Sequence, residues 1–430
     1  MNRKAVRSWI MYDCANSAFV TTMVAAVVPP FFFDVVAKDL PEYLATSYWG
    51  YMQTIAMVLV ALMAPLLGAI ADLSGSKVRF LRYFAYLGIM ATALFVFVGE
   101  GDYLLAAVLF IAGNIGFAGG NTFYDSLLTD LVPDEKRDMV SSKGYSYGYL
   151  GGGLLLALNL LMIQKPEWFG LADTIQGIKV SFLTVAIWWF VFSMPIFRNV
   201  GPLMKAQTQK QPMKRHAVAG FRRLMSTFKK IRSYPQLMKY LIAFWLFNDG
   251  INTVITMATI YGKSIGIETS HLITALLLTQ FIGFPCSLLF GKMAEKLGSK
   301  KSLYISLSIY VVIISLGYFM QTAAHFYFLA CLVGVVQGGS QAVARSIFSR
   351  LVPKRQSAEF FGFLSVSGKL SSSFGPFVFG VVSQVFKSSR LGILALLVFI
   401  IGGMVMLRMV DLDKGRQEAE EADQLLGDAG

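Results

Sequence analysis

The chain has 430 residues, 55% of them hydrophobic and only 15% charged, with 35 Phe and a mean hydropathy of +0.59. Such a composition excludes an ordinary soluble domain and a disordered chain, and it defines a polytopic membrane protein. The net charge of +13 is an orientation signal rather than a nucleic-acid footprint, because the Lys and Arg residues are dispersed over loops.

Apolar runs of about 20 residues, enough to cross a bilayer, fall at 9–33, 46–71, 80–98, 103–128, 139–163, 178–197, 237–261, 270–291, 302–320, 324–348, 358–386 and 390–410. They predict an all-α membrane protein of twelve transmembrane helices in two pseudosymmetric six-helix halves, 1–197 and 236–410. A basic linker (198–235) joins the halves, and an acidic tail (411–430) follows the second. With the N-terminus in the cytosol, only Lys38, Lys165, Lys179, Lys263, Lys387 and Arg390 fall outside, so both termini are expected to be cytosolic. The first span is too long for a signal peptide and lacks a small-residue cleavage site, so it is expected to act as its own anchor.

In the first span, Trp9, Asp13, Asn16 and Ser17 fall on one helical stripe, and the seventh span repeats them as Trp245, Asp249, Asn252 and Thr253. An intramembrane Asp is costly, and one carried twice points to a use. Alone in a poorly hydrated cavity, each aspartate would bind a proton. Beside Arg345 or Lys369 it would stay ionised and hold the cationic amino group of a solute. The Trp residues are read equally well as interfacial anchors.

Between the second and third spans lie Gly68, Asp72, Gly75, Ser76 and Lys77, which return after the eighth span as Gly291, Glu295, Gly298, Ser299 and Lys300. Glycines at this spacing permit close helix packing and a tight turn. Asp72 at a helix end can cap a neighbouring helix or pair with a cation, in contacts that form in one conformation and break in another. Asp72 and Glu295, with Lys77 and Lys300, are therefore expected to act as conformational latches.

The fourth and tenth spans share Gly-Gly and Leu-Val-Pro, at Gly119, Gly120 and 131–133 and again at Gly338, Gly339 and 351–353. In that register Asp125 lies opposite Arg345 and Asp130 opposite Arg350. This inverted charge can pair across the two halves, with the outer pair structural and the deeper one shared between structure and function. The glycines of the fifth and eleventh spans predict tight packing. Lys369 lies about a dozen residues into the eleventh span, where a cation costs about 2.5–3.5 kcal/mol unless it faces water or a carboxylate, so a cavity role is expected.

The linker residues Phe221, Leu224, Met225, Phe228 and Ile231 recur at helical spacing among basic residues, which suggests an amphipathic helix on an anionic inner leaflet; a plain positive-inside linker explains them too. The tail predicts a frayed helix or a disordered segment. Cys14, Cys286 and Cys331 sit in apolar spans, and His216, His271 and His325 are scattered. Neither a metal site, a disulfide framework nor a catalytic nucleophile with its base is indicated.

The segment from Gly68 to Lys77, with its repeat, resembles the signature loop of the major facilitator superfamily. Ser74 departs from it by standing where that loop usually carries Arg or Lys. The opening Trp9-Ile-Met-Tyr12-Asp13-Cys-Ala-Asn16-Ser17 resembles the vacuolar-effluxer branch of the superfamily, whose eukaryotic namesake is an autophagy-related amino-acid effluxer. The similarity continues through Phe123-Tyr124-Asp125 and Gly148 to Gly153. The resemblance implies a major facilitator fold and a secondary transporter working by alternating access, with amino-acid efflux or proton coupling as finer expectations. The alternative is a receptor or a lipid scramblase on the same scaffold. Candidate substrate and coupling residues are Asp13, Asn16, Tyr124, Asp125, Asp249, Asn252, Arg345 and Lys369. The expected partners are a small-molecule solute, protons and the bilayer, with no cofactor and no nucleic acid, and the chain is expected to act as a monomer in a bacterial-type inner membrane rather than a vacuole.

Overall fold

The computed structural model describes residues 2–40, 42–205, 234–371 and 374–428, and every regular element among them is a helix. The amphipathic linker helix expected around Phe221 lies outside the described residues. In chain order the helices are α1 (Arg3–Val36), α2 (Glu42–Ser74), α3 (Lys77–Leu94), α4 (Tyr103–Leu131), α5 (Arg137–Gln164) and α6 (Thr174–Asn199). The second set is α7 (Pro235–Ser264), α8 (Thr269–Leu297), α9 (Ser299–Tyr318), α10 (Ala323–Leu351), α11 (Ser357–Ser371 and Phe374–Val385) and α12 (Ser389–Arg408). Helix α13 (Leu412–Asp428) closes the chain. Among the described residues, eleven helices are long and apolar enough to cross a membrane. The twelfth segment of the fold is α11, described as two shorter helices.

Several helices outrun their apolar stretches, because backbone hydrogen bonding continues into polar residues at the bilayer edge. Helix α1 begins at Arg3, where the Asn2 carboxamide oxygen accepts from the Lys4 and Ala5 amides at 3.1 and 3.2 Å. Its outer part winds wider, in π-type turns on either side of Pro29 and Pro30, which lack an amide proton for the regular ladder.

Each half has its own apolar core. Phe19, Phe31, Phe182 and Trp189 pack within α1–α6, and Leu303, Tyr310, Phe348 and Leu407 within α7–α12. Large apolar side chains that stay exposed, such as Phe97, Leu104, Phe377 and Val398, form the band that lipid would cover. The halves meet where α2 runs along α11 and where α5 runs along α8 and α10. Gly68 is required there: a Cβ on it would lie 2.9 Å from the Glu359 Cα and would collide with the Ala358 carbonyl.

The tail is more ordered than its composition suggests. Helix α13 buries Ala419, its Asp423 carboxylate accepts from the Lys354 and Arg355 amides at 2.7 and 3.0 Å, and Arg416 reaches Asp134 of the other half at 3.3 Å. Tail, N-terminus and the latch segments thus share one end of the bundle, the terminus-bearing face.

Candidate functional site

Helix α1 lies against the glycine face of α5, and this brings its polar stripe into the protein. A Cβ on Gly144 would collide with the Asp13 carboxylate, and one on Gly148 would lie 2.6 Å from the Ser17 hydroxyl. Asp13 is consequently 8% exposed, with Trp9 fully buried above it. The Trp9 indole donates to the Tyr124 carbonyl at 2.8 Å, and the two rings stack at 4.5 Å. The Tyr124 hydroxyl donates to Asp13 Oδ2 at 2.9 Å. Trp9 is therefore a wall of the site, not an interfacial anchor.

Arg345 enters this pocket from α10. Its Nη1 donates to Asp125 Oδ1 at 2.9 Å and its Nη2 to Asp13 Oδ2 at 3.3 Å. Its Nε donates to the Ser141 hydroxyl at 2.9 Å, and Nη2 also to the Ser141 carbonyl at 3.0 Å. Three aromatic rings surround the guanidinium, those of Tyr145 at 4.4 Å, Trp9 at 4.8 Å and Tyr124 at 5.6 Å. The charges inverted between the repeats at Asp125 and Arg345 thus meet directly. Asp13 joins them as a third member. Asp125 and Arg345 each lie six residues from their helix ends, about 9 Å in from the terminus-bearing face.

Two adjoining compartments of about 320 and 340 Å³ open on this cluster, and both are lined by Asn121, Asp125, Tyr145, Asn252, Gln341 and Arg345. Primary amides recur in their polar lining, with Asn16, Gln280 and Gln337 in one compartment and Asn248 in the other. Asn16 also donates to the Asn121 side-chain carbonyl at 2.5 Å. Such a lining offers donors and acceptors to a polar solute without fixing a charge, which the Asp–Arg cluster supplies.

Nearer the terminus-bearing face, Asp72 accepts from the Ala358 and Glu359 amides at 3.2 and 2.9 Å, so a carboxylate of one half caps α11 of the other. Lys77 binds Asp72 at 3.1 Å, Asp130 at 2.9 Å and the Ser357 hydroxyl at 2.7 Å. Gly75 makes the turn between them with φ at +60°. The repeat is built differently. Glu295 is exposed, and Lys300 donates to the Arg408 and Val410 carbonyls at 3.1 and 2.6 Å, within its own half. In this arrangement Lys300 is therefore engaged within its own half, unlike Lys77. Gly291 does pack across the halves, against Ser142, and Gly298 takes φ of +89° at the turn. The polar bridge on that side is Asp138, which binds Arg350 at 2.7 Å and accepts from the Ser299 hydroxyl at 2.8 Å.

The second aspartate is also placed differently. Asp249 is 2% exposed against Thr253 and Gly375, and no cationic side chain pairs with it among the described residues. Asn252 lines both compartments. Lys369 falls on α11, but its side chain lies outside the described residues.

Sequence reasoning missed Arg137, which is 1% exposed. Its guanidinium donates to the Val132 and Thr129 carbonyls of α4 at 3.1 and 3.3 Å and to the Ser349 carbonyl of α10 at 2.8 Å, and it pairs with Asp134 at 2.8 Å. One cation thus serves the carboxyl ends of helices from both halves. Arg137 and Asp138 precede the apolar run beginning at 139 and read as loop charges; the available signal was their place one helical turn after Leu-Val-Pro.

The fold is the major facilitator fold of multi-pass membrane proteins. Similar solved structures include the proton:xylose symporter XylE, 14% identical with 97% of each chain covered and a TM-score of 0.71, and FucP in an outward conformation, 12% identical over 95% of this chain and 98% of that one, with a TM-score of 0.65. Within that class, the chain belongs to the family described as vacuole effluxer Atg22 like, which matches residues 1–420. It is similar to the uncharacterized MFS-type transporter YxiO of Bacillus subtilis, 34% identical over 98% of each chain. It is also similar to autophagy-related protein 22 of Saccharomyces cerevisiae, 24% identical over 89% of this chain and 81% of the relative.

Proposed function

We propose that the protein is a secondary active transporter which moves a small polar solute by alternating access and, in its finer form, exports amino acids across a bacterial-type inner membrane with both termini in the cytosol. The observation that carries this reading is the amide-lined cavity between the halves, which ends on a charge cluster contributed by both of them. Latch, Arg137 and Arg350 contacts together hold the terminus-bearing face closed. Opening that face requires α10 and α11 to part from α2, α4 and α5, so these bonds break together. The family description and the name of the Bacillus relative support transport, and the effluxer name supports the direction.

Solute flux in proteoliposomes, with and without a pH gradient, tests the reading. A transporter moves solute down an imposed gradient and exchanges preloaded solute, and absence of both ends the proposal. Proton coupling is assigned to Asp249, a buried carboxyl that pairs with no cationic side chain among the described residues. Asp249→Asn is then expected to abolish gradient-driven movement while sparing exchange, which needs no net protonation change; loss of both would place Asp249 in solute binding instead. Orientation is tested by cysteine labelling in intact cells. Positions near Asp102 and Lys387 are expected to react from outside, and positions near Lys77 and Lys214 are not.

A further inference from the structure

We infer that the pocket around the Arg345 guanidinium is the seat for a cationic nitrogen group of the transported solute, and that Arg345 is its tethered occupant while the terminus-bearing face is closed. This rests on the transport reading and adds to it the chemical class of the solute: an amine or guanidine, whose carboxylate, if it has one, is dispensable.

The walls of the seat all come from one half. Trp9 and Asp13 stand on α1, Tyr124 and Asp125 on α4, and Ser141 and Tyr145 on α5, whereas the occupant alone comes from α10. The contacts are those that a free guanidinium or ammonium makes. Two carboxylate oxygens accept at 2.9 and 3.3 Å, a hydroxyl and a carbonyl accept at 2.9 and 3.0 Å, and ring faces lie 4.4 to 5.6 Å away. The seat also communicates with the cavity, because Asp13, Tyr124, Asp125 and Tyr145 line its compartments. The side chain of Asp125 is 27% exposed, and its Oδ1 carries the bond to Arg345.

When the halves rock apart at the terminus-bearing face, Arg345 leaves with α10 and the seat stays with α1, α4 and α5. Two carboxylates then share one pocket without a cation between them, a like-charge arrangement that is unfavourable until a cation arrives. A solute bearing a cationic nitrogen supplies that charge from the cavity, and its return expels it in favour of Arg345. A solute without such a group leaves both carboxylates unpaired. The surrounding amides of Asn121, Asn252 and Gln341 meet the rest of the solute without demanding a second charge.

The first arm of the test is chemical rescue. Purified full-length Arg345→Ala is heated with methylguanidinium chloride, with sodium chloride at the same concentration as control. A saturable rise in Tm is expected, absent from the triple variant that also carries Asp13→Asn and Asp125→Asn. The second arm uses the unaltered protein and therefore stands even where Arg345→Ala does not fold. Proteoliposomes are offered agmatine, leucine, N-acetylleucine, lactate and glucose in counterflow. Agmatine and leucine are expected to move at least about tenfold faster than N-acetylleucine, a difference of about 1.4 kcal/mol. Flux carried by N-acetylleucine, lactate or glucose, with agmatine and leucine excluded, overturns the seat while leaving transport standing. Absence of any flux overturns the transport reading, and with it the assignment to a transported solute, even if methylguanidinium stabilises the variant.

Discussion

Trp9 in α1 is fully buried and stacked on Tyr124, whereas its repeat in α7, Trp245, is 42% exposed on the outer surface. Four residues on, Asp13 faces a guanidinium from the other half, while Asp249 is enclosed beside Thr253 and Gly375. The latch segments diverge in the same way: Asp72 caps a helix of the other half, and Glu295, with one more methylene, stays exposed. Duplication supplied matched helices, and the sites then divided their work, with the first-half aspartate drawn into an ion pair across the halves and its second-half repeat enclosed beside a hydroxyl and a glycine.

The largest expected effect separates the two aspartates. Arg345→Gln strands Asp13 and Asp125 without a cation, so the folded protein should lose about 3–5 kcal/mol in detergent unfolding. Asp249→Asn, which removes no ion pair among the described residues, should change stability by about 1 kcal/mol or less. Equal losses would erase the distinction. A double variant, Arg345→Gln with Asp13→Asn, should recover part of the first loss if the two residues are coupled.

The latch comparison comes next. Asp72→Asn weakens a helix cap and an ion pair at once, and should move the conformational equilibrium by about 1–2 kcal/mol toward opening of the terminus-bearing face. Transport would then slow more than solute binding weakens. Glu295→Gln should stay within about 0.5 kcal/mol of the parent. Cysteine accessibility at cavity positions from the terminus-bearing face measures both, and a shift in the Glu295 variant as large as in the Asp72 variant would restore symmetry to the latch. The smallest effect belongs to the tail. The Arg416 side chain is 48% exposed, so Arg416→Gln should cost less than about 1 kcal/mol and the difference should fade at high salt. Hydrogen exchange of α13 at two salt concentrations would reveal it.

The fold was legible because hydrophobic runs of bilayer length and three repeated motifs are local in the sequence. The charge cluster was legible only in part. Opposite signs at Asp125 and Arg345 could be read from the shared Leu-Val-Pro register, but the arrival of Asp13 depends on how deeply α1 settles on the glycines of α5, which is a tertiary property. Arg137 and Asp138 were hidden because a helix can begin before its apolar stretch does. A helix was one of the two forms expected of the tail, but its docking was not legible, because its charges find partners on α7 and in the segments before α5 and α11 that composition alone does not display.

The seam between α2 and α11 has a mechanical consequence. Gly68 lies against the backbone of Ala358 and Glu359, and Gly362 against that of Ala64 and Pro65, so at these two points main chain meets main chain. Gears need teeth; a journal bearing needs smooth faces. A contact of this kind lets one half roll over the other without a succession of rotamer changes, and an added methyl at Gly68, set against the Ala358 and Glu359 backbone, would force the seam apart and bias the swing away from the closed arrangement.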